Sequence, residues 1–403
     1  MTRTILDIHI LQNVPPSNMN RDDTGTPKSA YYGGVRRARV SSQAWKRATR
    51  ERFQELLPPE ELGVRTKKVV EALAARIAAH SPALAGTAAG LAEEILKTAT
   101  GSTLEPPRRK VKDDDGEGSP VVAESKYLMF LSRRQLDALA ELAIEASEGG
   151  DVDRLKKALK DKEKGKELKA RARAAVDTRH SVDIALFGRM VADSADLNVD
   201  AATQVAHALS VHRSDIESDY YTAVDDLNEE GETGAGMIGT VDFNSATLYR
   251  YAAVDVNELE RNLGTGLKGD EPPSTPTAKA VTAFLEAFIT SLPSGKINSF
   301  GNHTLPSAVV VTLRGHRPLS FVGAFEEPVP KSGQGGFLRE SCRRLAAYVP
   351  DVQRQYGLDT DPTWVFRVGD ETRELAALGT GVTLTGLLDE VGGAVADRLE
   401  PEA

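Results

Sequence analysis

The sequence predicts an α+β protein in which a long helical segment interrupts a framework of strands and helices. Three observations lead to this prediction. Residues 4–12 are apolar and rich in β-branched side chains, residues 60–176 are rich in Ala, Leu and Lys at helical spacing, and mixed strand and helix patterns return from residue 181 onward. This order is typical of an α+β sandwich with large insertions.

The first segment, residues 1–58, combines a strand, a loop and a helix. Residues 4–12 form the predicted buried strand, and residues 14–27 form a long loop rich in Pro, Asn, Asp and Gly. A helix is expected to start near residue 40, where Ser41 or Ser42 can cap it. Its apolar positions are Ala44, Trp45, Ala48 and Phe53.

Residues 59–180 form the predicted helical insertion. Helical spacing recurs at residues 66–80, 88–98, 133–146 and 151–176, interrupted by a Pro-, Asp- and Gly-rich loop at 105–120. After this insertion we expect a core-like stretch at 181–190, a helix at 200–212, an extended hairpin at 215–239 and a strand from 240. Further helices are predicted at 277–290, 337–348 and 371–388, and further strands at 307–313 and 364–368.

Composition narrows the classes of function. The 403 residues are 40% apolar and 27% charged, as in a globular chain with a sizeable core. Cys342 is the only cysteine, so we expect neither a disulfide framework nor a cysteine zinc site. The sequence has no run of about 18 uncharged apolar residues and no signal-peptide pattern. We therefore expect a cytoplasmic protein with no membrane partner and no cofactor.

The distribution of charge matters more than its sum. A formal net charge of −9 argues against a nucleic-acid partner. Residues 24–50, however, contain seven Lys or Arg and no acid, and residues 154–173 contain ten Lys or Arg against three acids, a local net charge of +7. Such asymmetry predicts one or two surfaces that face an anion. For residues 154–173, a solvated helix face is an equal alternative.

Residues 20–47 are the most informative stretch. They offer Arg and Lys charges, hydroxyl and amide donors, and a helix start whose unpaired N–H groups suit an anion. Ser41, Gln43 and Lys46 lie within the first turn and a half of that helix and could face one phosphate track. A capped helix with surface arginines is the alternative.

The same stretch resembles the N-terminal signature of the CasC family, also called Cse-four. The matching residues are Asn20-Arg-Asp-Asp and Gly33-Gly-x-Arg-Arg-x-Arg-x-Ser-Ser-Gln-x-x-Lys-Arg. Further blocks match in order: Asp183-Ile-Ala-Leu-Phe-Gly-Arg-Met, Asp219-Tyr-Tyr-Thr-Ala-Val-Asp-Asp-Leu, Gly234-Ala-Gly-Met-Ile-Gly-Thr, Phe243-Asn-Ser-Ala-Thr-Leu-Tyr-Arg-Tyr and Pro293-Ser-Gly-Lys-Ile-Asn-Ser. Only the helical insertion lacks such a block. The family supplies the repeated backbone subunit of the type I-E CRISPR Cascade complex.

The resemblance implies a hand-shaped fold with an RNA-recognition-like (ferredoxin-like) palm, helical fingers and a β-hairpin thumb. The implied boundaries are 1–58, 181–213 and 240–403 for the palm, 59–180 for the fingers and 214–239 for the thumb. Guide RNA would be held by its phosphates and riboses through Arg21, Lys28, Ser41, Gln43, Lys46, Lys296 and Asn298.

The thumb would stack or wedge beside the RNA through Tyr220, Tyr221, Val224 and Leu227. Stacking tolerates any base, which suits a guide whose sequence varies. A hairpin packing pair is the alternative for the two tyrosines. Met190 is expected to be a buried core methionine, with a wedge against a base as its alternative.

The basic run of residues 154–173 matches no block of the family. We predict that it attracts the backbone of target DNA through Lys156, Lys157, Lys160, Lys162, Lys164 and Lys166. The implied partners are CRISPR guide RNA, target DNA through the guide, copies of the chain itself in a helical filament, and other Cascade subunits.

The predicted function is sequence-independent binding of guide RNA for target pairing in antiviral defence, without enzymatic activity. The main alternative is a metal-dependent endoribonuclease that uses Asp22 and Asp23, although no His or third carboxylate stands at ligand spacing. The glycine-rich residues 332–337 could cradle a nucleotide phosphate, but they lack the Gly-Lys-Ser/Thr ending of a P-loop.

Overall fold

The computed structural model describes residues 3–106, 122–178, 180–191, 195–223, 237–264, 272–331, 336–358 and 361–400. The chain forms two compact units. The first comprises Met1–Leu56, Thr203–Val256 and Ala278–Ala403, and the second comprises Leu57–Ala202 and Asn257–Thr277. The second unit contains the predicted fingers, residues 59–180, together with residues 181–202, which the resemblance assigns to the palm.

The strands of the described residues are β1 (Ile5–Ser17), β2 (Ser29–Tyr32), β3 (Val35–Val40), β4 (Gly63–Thr66), β5 (Leu104–Glu105), β6 (Glu124–Ser125), β7 (Met129–Ser132), β8 (Thr203–Val205), β9 (Ala208–Ser210), β10 (Glu217–Ala223), β11 (Met237–Asp255), β12 (Ala308–Arg314), β13 (Thr363–Arg367) and β14 (Thr380–Gly381).

The α-helices are α1 (Ser42–Leu56), α2 (Val69–His80), α3 (Ala88–Thr100), α4 (Arg133–Ala146), α5 (Val152–Lys160), α6 (Lys164–Asp177), α7 (Val182–Phe187), α8 (Val256–Leu263), α9 (Thr275–Thr290), α10 (Ile297–Phe300), α11 (Leu338–Gln355) and α12 (Leu384–Leu399).

The first unit is built on a ten-stranded sheet. Its order is β14-β13-β12-β1-β11-β9-β3-β2, and β8 and β10 also pair with β11. The predicted first strand is confirmed as β1, which lies antiparallel to both β11 and β12. Its first eight residues are all buried, because elements of the unit cover both faces of the sheet.

Successive side chains along β1 and β11 point to opposite faces of this sheet. The α11 face packs against α11 and a 3-10 turn at Val322–Phe325, with a core that includes Ile5, Tyr249, Val310, Phe325 and Leu345. The α1 face packs against α1 and α9, where the Trp45 and Phe288 ring centroids lie 6.5 Å apart. Trp45, Ala48 and Phe53 are buried, so the predicted apolar stripe of α1 is confirmed.

The second unit is mainly helical. Helices α2 to α6 share a core that includes Leu73, Ile77, Leu91, Ile95, Leu139 and Ala172. Two short antiparallel pairs, β4 with β7 and β5 with β6, accompany them. The four predicted helical stretches are confirmed, and the last is divided into α5 and α6 around Asp161, whose carboxylate accepts the N–H groups of Glu163 and Lys164.

The predicted helix at residues 200–212 is wrong. This segment forms β8 and β9, which pair with β11. Its alanines favour a helix, but pairing with a long neighbouring strand overrides that weak preference. The predicted helix at 371–388 is interrupted, since a 3-10 helix at Asp370–Leu378 precedes β14 and α12 begins only at Leu384.

The hairpin predicted at residues 215–239 is confirmed at its base. Glu217 pairs with Phe243, and the antiparallel register continues to Ala223 and Met237. Together with the helical unit and the central sheet, this hairpin confirms the predicted α+β class. Residues 224–236, which include Val224 and Leu227, lie outside the described residues.

Candidate nucleic-acid interface

The loop at residues 18–28 is closed by the carboxylate of Asp22. One oxygen of Asp22 accepts the Thr24 hydroxyl at 2.7 Å, the Thr24 N–H at 2.9 Å and the Thr26 N–H at 3.0 Å. These donors, the Thr24 hydroxyl first among them, hold the pKa of Asp22 below its usual value. The turn leaves the neighbouring Arg21 exposed.

The 18–28 loop is fixed to the base of the hairpin. The Asn18 amide donates to the backbone carbonyls of Gly25 at 2.9 Å and Asp242 at 2.7 Å. The Asp242 carboxylate accepts the hydroxyl of Thr26 at 2.9 Å and that of Ser218 at 2.7 Å. The loop and the hairpin are therefore held together by side chains of both.

Asn20 joins the same loop to the start of α1. Its side-chain oxygen accepts the Ser41 N–H at 2.8 Å, and its backbone carbonyl accepts the Lys28 N–H at 2.9 Å. Ser41 is buried, and its hydroxyl accepts the Ala44 N–H at 3.3 Å. The predicted capping role of Ser41 is thus confirmed.

Helix α1 presents the next two candidates. Gln43 is exposed and Lys46 is half-buried. Burial lowers the pKa of Lys46. The first turn of α1 contains no acidic residue, so nothing on that turn opposes an anion at the helix start.

A turn at residues 294–298 lies directly against the loop. A Cβ on Gly295 would lie only 2.3 Å from the Met19 carbonyl oxygen, so the two backbones touch in a way that only glycine allows. Lys296 follows in the left-handed conformation, with φ 54°. Lys296 and Asn298 are both exposed. The structure therefore brings the 18–28 loop, the start of α1 and the 294–298 turn together.

The cations of this region divide into two kinds. Within the part of the chain that the structure describes, Arg21, Lys28 and Lys296 have no acidic partner. Arg37 is instead fully buried and donates to four backbone carbonyls, those of Tyr32, Ser210, Phe325 and Glu326. Arg37 is therefore a structural residue. Side chains alternate between the two faces of a strand, so an exposed Arg36 would have indicated a buried Arg37.

Tyr220 and Tyr221, the two tyrosines of the β10–β11 hairpin, differ in exposure. A Cβ on Gly239 would lie 2.4 Å from Cζ of Tyr221, so the Tyr221 ring crosses the opposite strand at a glycine. This matches the alternative of hairpin packing for Tyr221. Tyr220 is 62% exposed and is the freer stacking candidate.

The basic run lies on α5, α6 and the residues between them. Lys156 is 3.9 Å from Glu94, and Arg171 forms an ion pair with Glu145 at 2.6 Å. A further group of lysines is exposed and has no ion pair to any described residue: Lys157, Lys160, Lys162, Lys164, Lys166 and Lys169. The buried side of these helices is formed by Leu155, Leu168 and Val176.

Met190 is 82% exposed, so the expectation of a buried core methionine is wrong. It follows Arg189, which is buried and donates to the carbonyls of Leu197 at 2.8 Å and Val176 at 3.0 Å. The backbone of Arg189 also pairs with Val199. These bonds hold the short segment that presents Met190.

No group of three or more His, Cys, Asp or Glu side chains among the described residues could hold a metal ion. Cys342 is buried, and burial raises the pKa of its thiol to about 12. Most of the glycine-rich stretch, residues 332–335, lies outside the described residues. No described helix is long and apolar enough to cross a membrane.

The fold and its loop surface define the class: an α+β protein with the fold of subunits in CRISPR RNA-guided surveillance complexes. A chain of one such complex, described as pre-nicking, is 32% identical with a TM-score of 0.78, over 97% of this chain and 100% of that one. A chain of another is 29% identical with a TM-score of 0.70, over 97% and 99%.

The family follows from the sequence match. The model of the CT1975-like protein family matches residues 6–390, and the chain therefore belongs to this Cas family. No curated protein matches the chain. The resemblance to a Cas protein is confirmed, and assignment to type I-E stays a prediction.

Proposed function

We propose that this protein is the repeated backbone subunit of a type I-E CRISPR surveillance complex and binds guide RNA without reading its sequence. The observation that carries the proposal is the meeting of three backbone segments, the 18–28 loop, the start of α1 and the 294–298 turn. They present Arg21, Lys28 and Lys296, none of which has an acidic partner among the described residues. Cations and helix-start donors suit phosphate and ribose, which carry no base information directly.

The hairpin supports the same function in a second way. Tyr220 is exposed on a strand whose base is fixed to the 18–28 loop through Asp242. Stacking on an aromatic ring contributes roughly 1–3 kcal/mol per base and tolerates any base. The exposed Met190 is a candidate wedge against a base in the same RNA. Copies arranged head to tail along a guide would form a helical filament with the other Cascade subunits.

We assign the exposed lysines of α5 and α6 to target DNA, which pairs with the guide. The six lysines from 157 to 169 are free of ion pairs among the described residues, and so their full charge is available to phosphates. The proposed role is sequence-blind attraction of the DNA backbone.

A scaffold role is favoured over the metal-dependent endoribonuclease. Metal ligation would require free carboxylate oxygens at Asp22 and Asp23. One oxygen of Asp22 already accepts three hydrogen bonds from its own loop. The carboxylate therefore has a structural task that is independent of any metal.

Charge reversal tests RNA binding. We expect the double variant Arg21→Glu, Lys46→Glu to bind labelled RNA at least tenfold more weakly, with a shallower dependence of log Kd on log salt. Arg47→Glu is the matched control, because Arg47 lies on the same helix, is exposed and forms an ion pair with Glu51. Equal binding by the double variant and the control would disprove the proposal.

Two further measurements on RNA complete this test. Co-purifying RNA should show a fixed number of nucleotides per subunit, and RNA incubated with magnesium should keep its length, whereas shortening would support the nuclease.

A separate experiment tests the lysines in the assembled complex. The triple variant Lys157→Glu, Lys160→Glu, Lys164→Glu should bind target DNA more weakly and with a shallower salt dependence, but it should retain the guide RNA. Lys97→Glu is the control, because Lys97 is already paired with Glu93. Unchanged DNA binding by the triple variant would exclude that role for the lysines.

A further inference from the structure

The β2–β3 hairpin presents an aromatic and a cationic side chain side by side. Tyr31 of β2 is the direct antiparallel partner of Arg36 of β3. Opposed residues share one face of a strand pair, so these side chains are neighbours. Tyr31 is 75% exposed and Arg36 is exposed as well. Tyr31 therefore offers an uncovered ring directly beside an exposed cation.

The hairpin beneath this pair is rigid. On its opposite face, the buried Arg37 donates to carbonyls of three different segments, including Ser210 and Phe325. At the turn, Gly33 adopts φ 58° and lies so close to Glu326 that a Cβ would overlap its carbonyl oxygen. The backbone that carries Tyr31 and Arg36 is therefore fixed before any ligand binds, which lowers the entropy cost of binding.

The charge around the pair favours an anion. No acidic side chain among the described residues forms an ion pair with Arg36 or with Lys28, which immediately precedes β2. Lys28 and Tyr31 are three residues apart, roughly 10 Å along an extended strand. That separation is enough for two distinct contacts on one extended polymer.

We propose that Tyr31 and Arg36 form an additional nucleotide-binding contact at the edge of the sheet, beyond the 18–28 loop. The Tyr31 ring takes the face of one unpaired base of single-stranded RNA, and the Arg36 guanidinium takes an adjacent phosphate. This contact rests on the proposed RNA-binding function and extends the RNA path along β2. It is tolerant of sequence, because every base has a face that can stack.

The test uses the full chain and a fluorescent single-stranded RNA. Tyr31→Ala should weaken binding about tenfold, and Tyr31→Phe should restore it, since the ring alone stacks. Arg36→Ala should weaken binding and reduce the slope of log Kd against log salt by about one phosphate contact, and Arg36→Lys should recover the slope. The matched control is Tyr356→Ala, which removes a tyrosine that is 78% exposed immediately after the end of α11.

The outcomes separate this contact from the function on which it rests. If the parent chain binds no RNA, the proposed function itself fails. If the parent binds and Tyr31→Ala binds equally well, only the Tyr31–Arg36 contact is wrong. The contact is also wrong if Tyr31→Ala binds a short RNA normally but fails to assemble several copies on a long one, because the pair would then touch protein.

Discussion

Two buried arginines on the same sheet differ in their partners: one forms ion pairs, and the other stacks on an aromatic ring. Arg314 of β12 lies on the α11 face, where its guanidinium contacts the carboxylates of Asp7 at 2.6 Å and Asp361 at 3.3 Å. Arg250 of β11 lies on the α1 face, stacked 3.7 Å from the Trp45 ring centroid. Arg250 donates to the Gln12 side-chain oxygen at 2.7 Å and to a backbone carbonyl, and no described carboxylate pairs with it.

The two arginines differ in whether an acid balances the buried charge. Burial lowers the pKa of Arg250 to about 9, so its guanidinium stays protonated near neutral pH. On the α11 face, the carboxylates of Asp7 and Asp361 balance the charge of Arg314. The α1 face instead keeps a positive charge directly behind Trp45, on the helix that carries Gln43 and Lys46. Buried charge of this kind cannot be read from a net charge of −9.

Replacing Arg314 should reduce the free energy of unfolding more than any other substitution considered for these two arginines. Arg314→Met leaves the carboxylate of Asp7 buried without its cation, and removal of one partner of a buried pair costs roughly 3–5 kcal/mol. The measurement is the free energy of unfolding in urea. Asp361→Asn is the control: Asp361 is more exposed and more distant from Arg314 than Asp7 is, so its loss should cost less. A larger cost for Asp361→Asn would contradict this account of the pair.

The pH dependence of stability should also come from the α11 face. Burial raises the pKa of Asp7 to about 6, against hydrogen bonds from Tyr251 and Arg314 that lower it. A carboxyl group whose pKa is raised by folding makes its full contribution to the free energy of unfolding below the pKa of the unfolded chain, near 4. This contribution is lost as the pH rises through 6. His9 acts oppositely: burial lowers its pKa to about 3, so its contribution is complete above the unfolded pKa near 6.5 and is lost as pH falls from there to 3.

Asp7→Asn isolates the first of these contributions. Between pH 4 and pH 6, the stability of the variant should rise relative to the parent by about 2–3 kcal/mol, since the parent alone loses the Asp7 contribution. Urea unfolding at pH 4, 5 and 6 measures this difference. Parallel curves for the two proteins would show that Asp7 does not titrate differently on folding.

Arg250→Met should have a smaller effect on stability than Arg314→Met. It leaves the Gln12 oxygen and the Phe288 carbonyl without a donor, which costs roughly 1–3 kcal/mol, but it also removes an uncompensated buried charge. We expect an unchanged pH profile between pH 4 and pH 6. A loss equal to that of Arg314→Met would mean that the two faces do not differ as described.

The sequence predicts local features of this molecule better than distant ones. The stripe of Trp45, Ala48 and Phe53 and the Ser41 cap follow from helical spacing and cap chemistry, and the structure has both. The contact of Gly295 with Met19 joins segments far apart in the chain, and no local pattern contains it. The helix predicted at 200–212 failed for the same reason, since pairing with β11 decides its conformation.

The candidate site shows the same limit. Charge and motif spacing pointed to residues 20–47 and to Lys296, and the fold brings these segments together. Charge and motif spacing alone did not separate the exposed Arg36 from the buried Arg37, because both are arginines in one basic run; only the alternation of side chains along a strand distinguishes them. The apolar character of Met190 predicted a place in the core, although its side chain is exposed. Burial and partners, which depend on the fold, decide which cations face a ligand.

The smallest effect is expected for RNA affinity, from a substitution of Asp22, which lies outside the sheet. This exposed carboxylate satisfies donors of its own loop rather than a buried cation, and those donors hold its pKa below the usual value. Asp22→Asn keeps an oxygen acceptor, so RNA affinity should change less than twofold. Fluorescence anisotropy at constant salt measures this, with Asp23→Asn as the neighbouring control. Loss of magnesium-dependent RNA shortening in both variants would instead restore the nuclease, which uses both carboxylates, as the better explanation of this loop.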